Sequence, residues 1–250
     1  MLTALIALLI GVIFGLLGGL QYVMPNFIKE YLPFNAIRPL HTLFVVSWVL
    51  LAAIGGIYYY LSTNINIVFY SKKLIKIHFW IFILTGLFIA ISYLSKNFRG
   101  KEYLEFPSYF YFPIVVGWIL FGLNYYKTML PSFKNWPVYY WMWATGIFLM
   151  IFHFTEAHFW LLPYFRDHYI QNLALQWKSG GSYVGAWNML VYGTSIYVME
   201  KTSNNTSYST SKKAFFFYFL GLTNLMFGWA HHIYIIPTAP WIRYFAYVIS

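Results

Sequence analysis

Seven long apolar runs constrain what this chain can fold into more than any other feature of its sequence. A helix needs roughly 20 apolar residues to cross the hydrocarbon core of a bilayer. The backbone polar groups inside that core must be bonded within the spanning segment, which favours helices. The sequence therefore predicts an all-α membrane helix bundle with seven spans and a truncated eighth that begins near Trp241. The predicted spans are residues 2–24, 40–62, 75–95, 107–128, 137–162, 181–200 and 213–237.

The composition supports this class and excludes several functions. The chain is 60% hydrophobic and 9% charged, which is outside the range of soluble domains. Its net charge is +10, but the basic residues lie in connecting segments and form no clustered face for nucleic acid. It has no cysteine, which excludes disulfides, thiolate zinc sites and iron–sulfur clusters. We expect one membrane domain over residues 1–250, with a mobile polar linker at 201–210.

Two adjacent histidines near the end of the seventh run, His231 and His232, are candidate metal ligands. Histidines at membrane depth are costly unless they are used, and imidazole is the commonest metal ligand. Adjacent residues of a helix project about 100° apart, so both rings can reach one metal only near a helix distortion or with the metal placed between them. We expect the pair to face the interior of the bundle. The alternative is two buried histidines that donate to backbone carbonyls.

The start of the second run carries another candidate site. His41 could ligate a heme iron, and Arg38, one turn earlier, could pair with a heme propionate. The alternative is an interfacial histidine that caps the helix. Farther along, Glu102 and Glu105 precede the fourth span and could bind a hard cation such as calcium. They could equally belong to a solvated loop.

A third group lies inside the fifth run and contains Glu156, His153 and His158. An ionisable group near membrane depth usually marks a proton path or a metal site. His153 and Glu156 are one turn apart and share a helix face, whereas His158 does not align with His153. A polar cluster at the membrane interface is the alternative, and the residues alone leave both interpretations open.

Three of these motifs together resemble one family. The chain is similar to the N-terminal part of the catalytic subunit of heme–copper oxidases, and most of all to cbb-type cytochrome oxidases and bacterial nitric-oxide reductases. Residues 38–42 look like the span-two motif, 100–105 like the acidic calcium segment, and 229–234 like the span-seven histidine pair. The motifs occur in the order and spacing of the family, over nearly all of the chain.

The resemblance implies a set of cofactors and ligands. His41 would ligate a low-spin heme, while Arg38, Glu102 and Glu105 would fix the heme propionates. The two glutamates would do so by holding a calcium ion that bridges the propionates. The His231–His232 pair would hold a non-heme iron or copper beside a high-spin heme. The remaining heme ligands of the family lie on a later span, so we expect this chain to be the N-terminal part of a longer polypeptide.

Two departures from the family bear on the reaction. Leu225 stands where cbb-type oxidases have a redox-active tyrosine, and nitric-oxide reductases lack that tyrosine as well. Residues 179–185 contain neither the third metal-ligating histidine of the family nor the glutamate of the reductases. A replacement ligand would then be needed, and Glu156 is the first candidate. The other candidates are His153, His158 and His168.

We therefore expect a membrane oxidoreductase that resembles nitric-oxide reductase and reduces nitric oxide to nitrous oxide. One alternative is a cbb-like oxidase that reduces oxygen, and another is a non-catalytic heme-binding relative that has lost its metal site. The resemblance implies a multi-pass location in the bacterial inner membrane. It also implies an electron donor, either cytochrome c or a quinol, and a cytochrome c-type accessory subunit.

Overall fold

The computed structural model describes residues 1–63 and 67–249, and these residues are almost entirely helical. The long helices are α1 (Leu2–Val23), α2 (Phe34–Thr63), α3 (Lys72–Leu94), α4 (Tyr111–Met129), α5 (Val138–Glu156), α7 (Tyr169–Ser203) and α9 (Lys212–Phe227). The short ones are α6 (Pro163–Arg166), α8 (Ser207–Thr210) and α10 (Pro240–Ile249). Single 3₁₀ helices lie at Ser108–Phe110, Leu130–Asn135, Phe159–Leu161 and Gly228–Ile233. The all-α prediction is confirmed.

Five helical stretches in the described part of the chain are long and apolar enough to cross a membrane. They are Leu2–Val23, Phe34–Thr63, Lys72–Leu94, Ser108–Asn135 and Val138–Leu161. The count of seven spans with a truncated eighth therefore stays a prediction. The sixth predicted span falls within α7, which begins well before residue 181 and includes charged and polar residues. The seventh is divided between the 16-residue α9 and a 3₁₀ helix.

The chain divides into two compact units, Met1–Asn64 with Lys76–Gly117, and Ile65–Ile75 with Trp118–Ser250. In the first unit, α1 packs against α2 through small residues. A Cβ atom at Gly11 would lie 3.2 Å from Val45, and one at Gly18 would lie 3.2 Å from Ile37. Small side chains at such positions let two membrane helices approach closely, which increases their van der Waals contact.

In the second unit, α5 and α7 form the central pair. Trp143 of α5 is fully buried, and a Cβ atom at Gly193 of α7 would lie 2.8 Å from its ring. At Gly146, a Cβ atom would lie 2.9 Å from the carbonyl oxygen of Ala186. The close contact of the two backbones fixes the register in which side chains of α5 and α7 meet.

The polar stretch after α7 is folded back on this pair. Glu200 is buried and accepts hydrogen bonds from the hydroxyls of Tyr139, at 3.3 Å, and of Ser209 in α8. The prediction of a mobile linker at 201–210 overlooked this contact, because Glu200 lies just outside the linker and its partners are on other elements.

Candidate functional site

His41 lies at the contact between α1 and α2, where the backbone of α1 fixes its ring. The Nδ1 atom is 2.8 Å from the carbonyl oxygen of Gly11. A carbonyl oxygen can only accept a hydrogen bond, so Nδ1 must carry the proton and donate it. In the neutral ring the lone pair is then on Nε2. Metal-ligating histidines have this arrangement, with the other ring nitrogen bonded to a carbonyl or carboxylate.

Gly15 provides the space in which the ring of His41 lies. A Cβ atom at Gly15 would be 2.9 Å from both Cε1 and Nδ1 of that ring. Side chains essentially never approach so closely, so any larger residue would displace either the imidazole or the helix. The position of the ring therefore depends on a glycine of the neighbouring helix as well as on the hydrogen bond to Gly11.

Arg38, one turn before His41, joins α2 to the segment 99–106, which we call the acidic connector. Its Nη1 donates to Glu105 at 2.8 Å and its Nη2 donates to Glu102 at 2.7 Å. The guanidinium group also lies over the ring of Tyr103, 5.5 Å from the centroid. The structure thus brings together the three charged residues that the sequence suggested, although more than 60 residues separate Arg38 from either glutamate.

The acidic connector is a tight turn that presents both glutamates to Arg38. The amides of Arg99 and Gly100 donate to the backbone carbonyl of Glu105, at 3.0 and 3.1 Å. Tyr103 has a φ of 67°, a left-handed conformation that reverses the chain. Partial burial of Lys101 in this turn lowers the pKa of its ammonium group below the usual value.

The two glutamates face a fixed positive charge rather than a ring of oxygen atoms. Calcium takes six to eight oxygen ligands, and the described residues contain no group of three or more His, Cys, Asp or Glu side chains that could hold a metal ion. Arg38 is therefore the counter-charge of Glu102 and Glu105 in this structure, and calcium binding stays a prediction.

The His231–His232 pair lies in the 3₁₀ helix Gly228–Ile233, which follows α9 directly. This 3₁₀ helix is a departure from α-helical geometry, one of the two conditions under which both rings could reach one metal. A Cβ atom at Gly228 would collide with the side chain of Asn224, so a larger residue there would require that side chain to move. The centroids of the two imidazole rings are 4.0 Å apart.

The expectation that this pair faces the interior was wrong for the described chain, since both histidines are exposed. Residues three apart align in a 3₁₀ helix, and here Ala230 and Ile233 form the buried face, at 1% and 0% exposure. They pack with Ala246 of α10 in a small apolar cluster. The histidines between them are turned outward.

Glu156, the candidate replacement ligand, interacts with Lys178 and His153 and not with the histidine pair. Both of its carboxylate oxygens accept from Nζ of Lys178, at 2.5 Å each, and Oε2 also accepts from Nδ1 of His153 at 2.9 Å. Lys178 belongs to α7, although the sequence predicted a loop at that position. Its neighbour Trp177 contacts His232 instead. Because adjacent helix residues project in different directions, Glu156 and the histidine pair contact different sides of α7.

The other candidate histidines are also held locally. His153 is 1% exposed, and its Nε2 is buried without a hydrogen-bond partner among the described residues. Nδ1 of His158 donates to the carbonyl of Phe154 at 2.9 Å, and Nδ1 of His168 donates to that of Tyr164 at 2.7 Å. None of these rings joins the pair in a metal-holding group within the described ranges.

Sequence reasoning missed three residues that shape these sites: Gly11, Gly15 and Lys178. The two glycines interrupt an apolar helix, and a glycine in a helix interior costs about 1 kcal/mol relative to alanine. That cost is a usable signal of close helix contact. Lys178 had a weaker signal, a single charge within a run of weakly polar residues.

Comparison with known proteins gives two similarities. Residues 1–250 match the family described as "Cytochrome C and Quinol oxidase polypeptide I". The chain is also similar to a nitric oxide reductase subunit of Stutzerimonas stutzeri, with 34% identity over 146 residues. That alignment covers 53% of this chain and 31% of the relative, so the chain matches about a third of the relative's length.

Proposed function

Because the chain belongs to the cytochrome c and quinol oxidase polypeptide I family, we propose that it is a membrane oxidoreductase subunit that carries electrons on a low-spin heme held by His41. The family and the five apolar helices make it a multi-pass membrane protein. A bound heme would supply reversible one-electron exchange.

The state of His41 is the observation that carries this function. The hydrogen bond from Nδ1 to Gly11 leaves Nε2 as the basic nitrogen, and Gly15 keeps the ring from rotating toward α1. A histidine that only capped the start of a helix would have no need of a glycine fitted beneath its ring. The residues therefore fit a histidine that would ligate a heme iron.

Arg38 would hold the propionate end of that heme. Its side chain is 38% exposed, and its guanidinium group is held in place by two carboxylates. Arginine binds carboxylates through parallel N–H groups, which suits a propionate. Glu102 and Glu105 would orient Arg38 and balance its charge.

Substitution of His41 by alanine tests this function. The variant should lose the low-spin heme bands from the reduced-minus-oxidised absorption spectrum of the purified protein, because the iron would lose a histidine ligand. His168→Ala is the matched control, since His168 also donates from Nδ1 to a backbone carbonyl but is exposed outside the helices. Low-spin bands that persist in His41→Ala would make His41 a structural histidine.

Reduction of nitric oxide to nitrous oxide is the second candidate function. Leu225 favours it, since this residue occupies the place of the tyrosine that oxygen-reducing relatives carry, and the similar S. stutzeri protein is named for nitric oxide. His231 and His232 would hold the non-heme metal beside a high-spin heme, and Glu156 would handle protons. Nitrous oxide formation by the purified protein with an artificial electron donor tests the reaction. Oxygen consumption in its place would restore the oxidase alternative.

The proposed function also requires an electron donor. A cytochrome c or a quinol would donate electrons, with a cytochrome c-type accessory subunit as a further partner in the bacterial inner membrane. Oxidation of either donor by membranes that contain the chain, compared with membranes that contain His41→Ala, would identify the donor.

A further inference from the structure

The face of α7 that contacts the end of α9 and the His231–His232 segment is formed by glycines. Gly181 and Gly185 lie one turn apart on this face. A Cβ atom at Gly181 would lie 2.9 Å from Cβ of Trp229, and one at Gly185 would lie 2.7 Å from Cγ of Leu225. The backbone of α7 is therefore in direct contact with the segment that carries the pair, and no ligand side chain fits between them.

The positions beside Gly181 are also occupied. Ser182 is fully buried, and its hydroxyl donates to the backbone carbonyl of Leu225 at 3.3 Å. On the other side, the ring of Trp177 stacks on His232, with centroids 5.5 Å apart and planes 19° apart. An indole N–H is a donor only and cannot ligate a metal. The aromatic contact thus covers one face of His232.

Stable sites for transition metals use three or four protein ligands, or three and a water molecule. Position 181 is the place on α7 from which a side chain would reach the pair, since its Cβ would also lie 3.8 Å from Cδ2 of His232. This position is a glycine, and the described residues contain no group of three or more suitable side chains. The donor set that the described residues offer to the pair is therefore incomplete.

We infer that α7 supplies no ligand to the His231–His232 pair and that the pair holds no resident non-heme metal. The ring of His232 instead stacks on Trp177 and lies at a tilt to the ring of His231. The two imidazoles bind a divalent cation only weakly, as an exposed two-histidine site. Glu156 does not complete the site, because it would have to leave Lys178, whose ammonium group would then lose its carboxylate partner.

This inference is compatible with the electron-carrying function and opposes nitric oxide reduction at a metal on this pair. It concerns residues of the second unit and does not depend on heme binding at His41. Heme and non-heme metals can also be measured separately in one sample, so failure of one proposal is distinguishable from failure of the other.

The first test is the metal content of the purified full chain. Heme is quantified by its pyridine complex, and total iron, copper and zinc by mass spectrometry. We expect non-heme metal far below one ion per chain, with no difference between the wild type and a His231→Ala/His232→Ala variant. Near-stoichiometric non-heme metal in the wild type that this variant loses would overturn the inference.

The second test adds the missing ligand. Gly181→His combined with Trp229→Gly places an imidazole at the position that faces the pair, since removal of the Cβ at residue 229 relieves the contact. We expect zinc binding in equilibrium dialysis to tighten by about tenfold or more relative to Trp229→Gly alone. Gly180→His/Trp229→Gly is the matched control, because a Cβ at Gly180 meets nothing within 4 Å.

The control also guards against general effects of an added histidine. Equal zinc affinity in the variants at 180 and 181 would show that residue 181 does not face the pair, which contradicts the inference. Tight zinc binding by the wild type, abolished by His231→Ala/His232→Ala, would contradict it as well. Thermal unfolding in detergent shows whether each variant folds. If Gly181→His/Trp229→Gly does not fold, Gly181→Asp/Trp229→Gly takes its place.

Discussion

Gly15→Ala should displace the ring of His41. The new methyl group would lie 2.9 Å from Cε1 and Nδ1, well inside the contact distance of two carbon atoms. The ring is held from the α1 side by its hydrogen bond to Gly11, so it cannot turn away without breaking that bond. The helices can separate instead, but then the close packing around Gly11 and Gly18 is lost.

The magnitude follows from two terms. Overpacking by one methyl group costs about 1–3 kcal/mol, and loss of the hydrogen bond between His41 and Gly11 costs about 0.5–1.5 kcal/mol. Alanine also favours a helix over glycine by about 1 kcal/mol, which partly offsets the loss. Gly19→Ala gains the same helix preference without a collision, since a Cβ at Gly19 meets nothing within 4 Å.

The comparison of these two variants cancels the helix preference. We expect Gly15→Ala to be less stable than Gly19→Ala by about 1.5–4.5 kcal/mol, the sum of the overpacking and hydrogen-bond terms. Thermal unfolding in detergent measures the stability, and the reduced-minus-oxidised spectrum measures the low-spin heme. Heme content should fall in Gly15→Ala alone. Two variants with equal stability and equal heme spectra would refute the argument that Gly15 positions His41.

Three further perturbations test other contacts. Lys178→Met should destabilise the protein by about 1–3 kcal/mol, because it leaves the carboxylate of Glu156 partly buried without a cation. Adding Glu156→Gln should recover much of this stability in thermal unfolding. Purely additive losses would contradict the ion pair between the two residues. Arg38→Lys should speed tryptic cleavage in the acidic connector, since one ammonium group cannot reproduce the forked contact to two glutamates. An unchanged cleavage rate would show that the connector is held in place without the guanidinium group. Gly181→Ala should destabilise the protein by about 1–3 kcal/mol through overpacking, whereas Gly180→Ala should have no such effect in the same unfolding assay.

The sequence was sufficient for the fold class and the family. Long apolar runs with few charges are compatible with helices in a bilayer and with little else, so the all-α prediction needed no tertiary information. The motifs at 38–42, 100–105 and 229–234 supported a resemblance that the family match confirmed.

Helix boundaries after residue 160 were less predictable. The apolar run at 181–200 is the hydrophobic part of a longer helix, α7, whose first turns carry polar residues. Hydropathy detects only the apolar part, so Lys178 was assigned to a loop. Its ion pair with Glu156 was therefore missed, although Glu156 itself had been singled out.

The tertiary structure alone decided which chemical groups meet. The sequence supplied Arg38, Glu102 and Glu105 as separate candidates, and only the folded chain shows that one guanidinium group bonds to both carboxylates. It also decided the tautomer of His41, because that depends on a carbonyl group of another helix. Partners that are distant in the chain leave no periodic pattern in the sequence.

The orientation of the histidine pair shows the same division. The sequence determined that His231 and His232 are adjacent and follow a glycine, but not which side of their segment would be buried. That was decided by the packing of Ala230 and Ile233, which turns the histidines outward. Gly181 also lies so close to Trp229 that a side chain on this position of α7 has no room between the helix and the pair. The apolar area that a short helix can bury depends on its neighbours, and these are defined only when the chain has folded.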